Sequence, residues 1–185
     1  MYPVGHLALG YLCYAAVAWL SDRQLPHGLT LLVLAIGTQA PDLVDKPLVF
    51  LGVLPSGRSF GHSLLFVLPA LAILAKRTAH TDFERHARAF IIAVLSHFVG
   101  DTYLLALRGE WAALRFLLWP VFPAIDYPAD DIPPWVRLLD LGADSPEMQF
   151  QYLLFAVAVV LWLRHTYRRK QTDSGDTATH PDPRN

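Results

Sequence analysis

The chain has 185 residues, enough for one domain, and is 54% hydrophobic and only 17% charged, against roughly 25% charged residues in ordinary soluble domains. Its net charge of −1, with no basic stripe interleaved with aromatics, gives no evident nucleic-acid surface. Cys13 is the single cysteine, so no disulfide forms within the chain.

Four stretches, Gly5–Leu20, Ser59–Ala75, Ala89–Gly100 and Met148–Leu163, contain no Asp, Glu, Lys or Arg. A helix that is apolar on every side is buried or faces lipid. The predicted class is therefore all-α: an integral membrane helical bundle of about five spans, with one or two short interfacial helices. Met1–Leu20 resembles a secretory signal in its apolar core, but no Lys or Arg precedes that core. It reads as a retained first helix. The spans in chain order are Gly5–Leu20, Leu29–Ala40, His62–Ala75, Ala89–Leu107 and Met148–Leu163. Short polar links, Ser21–Gly28 and Lys76–Arg88, alternate with longer ones, Pro41–Gly61 and Arg108–Glu147. The last of these carries Trp111, Trp119 and Trp135, the aromatic type enriched at membrane interfaces. Residues 1–170 read as one membrane-embedded domain, and the polar run 171–185 as a disordered tail.

The short links and the tail hold ten Lys and Arg residues, and the two longer links hold five. Positive charge accumulates on the cytoplasmic side. The expected topology in a cell (inner or plasma) membrane is N-terminus out and C-terminus in.

On that topology His6, Asp42, Asp45, His62, His97 and Asp101, drawn from four helices, converge on the outer side. The orientation rests on Lys and Arg alone, so the convergence is independent of it. His97 and Asp101 in "HFVGD" are spaced i,i+4 and share a helix face. Asp42 and Asp45, spaced i,i+3, share one if the helix runs through them. Each residue alone has a plainer role: His6 in the interface, Asp42 as a cap or turn residue after Pro41, His97 and Asp101 as a packing pair. Arg58 could neutralise Asp42 or Asp45. An acid inside a span is nevertheless a functional hypothesis by default. His and Asp together suit zinc, and also manganese or iron. Such an ion brings the pKa of water towards about 7. "HTDFERH", His80–His86, reads as a solvated loop, and His27, His165 and His180 lie on the wrong side for the cluster.

The order of His6, "APDLVD", "GRSFGHS", "LSHFVGD" and "LLWPVFP" resembles the membrane-bound metal-dependent hydrolases also described as LexA-binding inner-membrane hydrolases, over about residues 1–125. That family is related to the zinc-dependent phospholipase C and single-strand nuclease superfamily. The resemblance implies that Asp42, His62, His97 and Asp101 hold one metal, and that Asp101 bridges to a second, held also by His6. Where the family often has His-Arg before the "HS" histidine, this chain has Gly57-Arg58. Its acidic pair is separated by two residues rather than one.

The resulting expectation is a membrane hydrolase using one or two divalent ions, zinc first, on a phosphoester such as a phospholipid or lipid-linked phosphate. Membrane lipids are its expected partners. Arg58 is expected to bind phosphate, and Asp45 to be a further ligand or the base that orients water. A regulatory or scaffold protein with a structural or vestigial metal site is the alternative. A translocator is disfavoured, because the cytoplasmic halves of the spans are almost purely Leu, Ala, Val and Ile.

Overall fold

The computed structural model describes residues 1–21, 23–125, 136 and 145–178, with side chains to residue 171. All regular structure among them is helical. Helix α1 (Pro3–Leu20) opens on a proline, whose missing N–H would have had no helical partner there. Helix α2 (Leu29–Phe50) carries Pro41 and Pro47 inside it. Helix α3 (Leu64–Thr78) is capped by Ser63, whose hydroxyl accepts from Leu65 N, and ends with Lys76 and Arg77 against its negative pole. Helix α4 (Glu84–Leu107) starts with an acidic residue, the complementary choice. A 3-10 helix, η1 (Trp111–Leu118), follows, and α5 (Pro146–Ala178) closes the chain.

Helices α1, α2 and α4 form the centre, with α5 against α1 and α3 against α4. The central helices meet through small residues. A Cβ at Gly37 would lie 2.8 Å from the Ala93 Cβ, and one at Gly10 would overlap the Thr38 side chain. Close backbone approach of this kind is how helices associate where lipid removes the hydrophobic drive between them.

The outside of the bundle is apolar. Leu32 and Ile36 on α2, Leu65, Leu68 and Ile73 on α3, and Leu153 and Val160 on α5 are exposed. A contiguous surface of this type does not persist in water and marks a lipid-facing belt. Of the five expected spans, α1, α4 and α5 (to Gln171) are long and apolar enough to cross a membrane. Helix α3, at 15 residues, is short of the ~20 a span needs.

Two boundaries differ from expectation in ways that matter for the site. Pro41 was expected to start a link, but α2 continues through it to Phe50, so Asp42 and Asp45 lie on a helix. Proline strains the turn before it and breaks a helix only where packing does not hold the chain. Helix α4 begins at Glu84, inside the stretch expected to be a loop, with the Glu84–Arg88 ion pair across its first turn. Of the expected interfacial elements η1 is present, with Trp111 exposed; Trp135 lies outside the described residues. The backbone of α5 runs on to Ala178, into the stretch read as tail.

Candidate metal centre

His6 lies near the start of α1, Asp42 and Asp45 in the second half of α2, His62 just before α3, and His97 and Asp101 in the second half of α4. These positions fall at one end of the bundle, and the structure brings all six side chains together. His6, Asp45, His62 and His97 have no accessible surface, and Asp101 is also buried.

His62 and His97 are each oriented by the Nδ1 side. His62 Nδ1 donates to Asp45 Oδ2 at 2.8 Å, and His97 Nδ1 donates to the Thr38 carbonyl at 2.8 Å. Both partners are acceptors only, which assigns the proton to Nδ1 in each ring. The Nε2 lone pairs are therefore left pointing inward, the arrangement metal-ligating histidines adopt. The two Nε2 atoms are 3.1 Å apart. Two neutral rings in these tautomers would repel at that distance, so the geometry requires a cation between them or a proton on one.

The remaining donors complete a set. Asp101 Oδ2 is 3.5 Å from His62 Nε2 and 3.6 Å from His97 Nε2, and Asp42 Oδ1 is 3.6 Å from His62 Nε2. A tetrahedral ion with bonds of about 2.0–2.1 Å holds its donor atoms about 3.3 Å apart. The spacings among His62, His97 and Asp101 bracket that value, so these three residues fit a zinc-like ion, with Asp42 beside His62. A second grouping, His6, Asp42 and His97, has one ligand atom of each within 4.8 Å of the others.

Asp101 faces both ways. Its Oδ1 is 3.2 Å from His6 Nε2 and 2.7 Å from the Met1 amine. The His6 contact is close but poorly aligned, so neither ring nitrogen of this buried imidazole makes a hydrogen bond. A buried, unsatisfied imidazole is costly, and here it stacks on His97 with ring centroids 3.9 Å apart.

Asp45 has its oxygens committed. Oδ1 accepts from Gly61 N at 2.6 Å, and Oδ2 accepts from Ser59 N at 2.9 Å and His62 N at 3.2 Å besides the imidazole. It ties the loop before α3 to α2. A Cβ at Gly61 would lie 2.8 Å from the Pro41 carbonyl oxygen, which explains glycine there. Burial pulls the pKa of the loop residue His62 down, but hydrogen bonds to Asp101 and Asp45 outweigh it and leave the pKa raised.

Arg58 stands at the edge, 3.6 Å from Asp101 Oδ2 with its guanidinium over the Phe116 ring. Lys46 pairs with Asp42 Oδ2 at 2.7 Å. Sequence reasoning did not find that pair, although the i,i+4 spacing is a readable signal. It also missed the Thr38 carbonyl, for which no side-chain pattern exists. His80, His86 and His165 take no part: His86 Nδ1 pairs with Thr30 Oγ1, and the His80 backbone N–H donates to Glu84.

Fold and site together define a helical membrane protein with a buried His/Asp cluster that could hold a metal ion. The profile of the YdjM inner membrane protein family matches residues 1–171, and the chain belongs to that family. No curated protein and no solved structure was found to match it.

Proposed function

We propose that this protein is a metal-dependent membrane hydrolase acting on a phosphoester, such as a phospholipid or lipid-linked phosphate, with its site at the outer membrane interface. The observation that carries the reading is the inward-facing donor set of His62, His97 and Asp101 at 3.1–3.6 Å spacing, with Asp42 Oδ1 3.6 Å from His62 Nε2. His62, His97, Asp101 and Asp42 would hold one divalent ion, zinc first, and Asp101 with His6 a second. A bound ion supplies Lewis acidity, polarising a phosphoryl oxygen and raising the acidity of water. Asp101 offsets cationic charge on both sides of its carboxylate. Asp45 fixes the His62 ring rather than touching the reacting atoms. Arg58, with its planar fork beside Asp101, would hold a phosphate oxygen. The alternating short and long links support an N-out, C-in topology.

A second reading, a non-catalytic scaffold, draws support from cations within the chain. Lys46 sits on Asp42 and the Met1 amine on Asp101, so both carboxylates have partners without an ion. Metal analysis of the purified full-length protein, paired with phosphodiester and phospholipid hydrolysis assays with and without chelator, separates the two. Bound zinc with chelator-sensitive turnover supports the enzyme. Bound zinc with no turnover on either substrate supports the scaffold, and absence of metal in wild type overturns the centre.

A further inference from the structure

Two cations stand at the exposed edge of the His/Asp centre. The Lys46 ammonium is 2.7 Å from Asp42 Oδ2, and the other oxygen of that carboxylate is 3.6 Å from His62 Nε2. The Arg58 guanidinium is 3.6 Å from Asp101 Oδ2, which is itself 3.5 Å from the same His62 Nε2. Each cation is thus one carboxylate away from the donor set. Both can be reached from outside: the Lys46 side chain is 26% exposed and that of Arg58 20%, while the three imidazoles have no accessible surface. An anion arriving at the centre therefore meets these two side chains before any imidazole.

Both side chains have donors to offer it. An ammonium carries three N–H groups, and Asp42 takes one of those on Lys46. The Arg58 guanidinium lies over the Phe116 ring, 5.1 Å from its centroid, and stacking on one face leaves the N–H groups directed within the plane. Charge decides when these donors are used. Without an ion, Lys46 and Arg58 balance Asp42 and Asp101. A divalent ion held by neutral imidazoles and these two carboxylates balances them instead, which leaves both side-chain charges unopposed. Asp45 behind His62 and the Met1 amine on Asp101 offset one another in either state. The edge of the loaded centre then carries two positive charges. A phosphomonoester carries close to two negative charges at neutral pH, and a diester carries one.

We infer that Lys46 and Arg58 form a metal-dependent clamp for a dianionic terminal phosphate, so that the centre selects phosphomonoesters over phosphodiesters. Lys46 is a second phosphate-binding residue beside Arg58 and sets that preference. The same lysine opposes the ion, because it competes for the Asp42 charge. By linkage, zinc and the dianion strengthen one another's binding. That the bound monoester is a substrate rests on the phosphoester reading above; its binding does not.

The test measures binding rather than turnover, by isothermal titration of the full-length protein in detergent at pH 8, with one equivalent of zinc or with chelator. The probes are inorganic phosphate, dimethyl phosphate and the non-hydrolysable phosphonate analogue of phosphatidic acid. Zinc-loaded protein should bind inorganic phosphate about tenfold tighter than dimethyl phosphate, and chelated protein should lose that preference. Lys46→Gln should weaken phosphate binding about tenfold, the lower end for a hydrogen bond between charged groups, as its exposure requires. Its zinc affinity should equal or exceed that of wild type. Lys46→Arg should keep most of the phosphate binding. A merely structural lysine would lower both affinities together. That pattern in a Lys46→Gln protein whose melting curve shows it folded, equal binding of inorganic and dimethyl phosphate, or phosphate binding indifferent to zinc would each overturn the clamp. Tighter binding of the lipid phosphonate than of inorganic phosphate supports the clamp and assigns its ligand to a lipid headgroup; equal binding supports it and assigns a soluble phosphate. Dianion binding as expected, with no turnover in the separate hydrolysis assay, leaves the clamp standing and removes only the enzymatic reading.

Discussion

Replacing Asp45 with Asn separates a residue that positions the centre from one that performs chemistry in it. Asn keeps the shape but turns one of two acceptor oxygens into a donor. The less damaging orientation keeps the oxygen where Oδ2 is, facing Ser59 N, His62 N and His62 Nδ1. The amide nitrogen then meets Gly61 N, which donates to Oδ1 at 2.6 Å in the wild type. One charge-assisted bond is lost, and three become neutral. Relief from burying a charge offsets part of this, leaving a destabilisation of about 2–4 kcal/mol in the metal-free protein. Because the His62 ring is then less firmly held, zinc affinity should fall by about 10–100-fold, as is usual for a lost partner of a ligating imidazole. Competitive zinc titration and thermal melting in detergent, each with and without zinc, measure both effects. If hydrolysis is present, it should return at saturating zinc. Zinc affinity within twofold of wild type would refute the positioning argument, and unchanged affinity with turnover lost at saturating zinc would make Asp45 the base.

His97→Ala should remove most bound zinc, measured by elemental analysis, whereas His80→Ala and His165→Ala should keep it; equal content in all three would refute the site. Asp101→Asn should lower zinc stoichiometry, because the neutral amide withdraws the charge that faces both donor groups; unchanged stoichiometry with raised thermal stability would refute a bridging role. Protons compete with metal for His62 Nε2, whose raised pKa extends that competition above the ordinary imidazole range. Zinc affinity should therefore rise with pH from about 6 to 8 with proton release on binding, as isothermal titration in buffers of different ionisation enthalpy would show; no proton release would count against this ligand. In intact cells, a cysteine at the exposed Val53 should be labelled by an impermeant maleimide and one at Thr81, exposed in the α3–α4 link, should be protected; the reverse pattern would invert the topology.

Much of the centre was legible because its parts are side chains of scarce types in apolar surroundings. His97 and Asp101 announce themselves by an i,i+4 spacing inside an uncharged run, and that spacing survives any error in helix ends. The all-helical class was legible for the same reason, since apolar periodicity and length do not depend on exact boundaries. What was not legible depended on tertiary packing. Pro41 reads locally as the end of a helix, yet α2 continues through it because Gly37 packs on Ala93 and Phe90 of α4 on the preceding turn. The role of Asp45 could not be read either, because three of its four donors are backbone N–H groups of a loop. Nor does any residue pattern mark the Thr38 carbonyl that orients His97.

Proline 41 connects these points. It has no N–H to offer the Gly37 carbonyl, and its ring crowds that oxygen, which opens the turn. The next carbonyl, that of Thr38, accepts from His97 Nδ1 of the neighbouring helix. The Pro41 carbonyl itself lies against Gly61, where only glycine leaves room for the loop to approach. That approach lets Asp45, one turn further along α2, collect the loop's N–H groups and the His62 ring. A proline in the middle of α2 therefore serves both inward-facing imidazoles, one through the turn it opens and the other through the loop it admits. Helix α2 thus supplies the orienting partners of both histidines as well as the Asp42 carboxylate, which is a physical reason for its polar second half to stand beside apolar sequence.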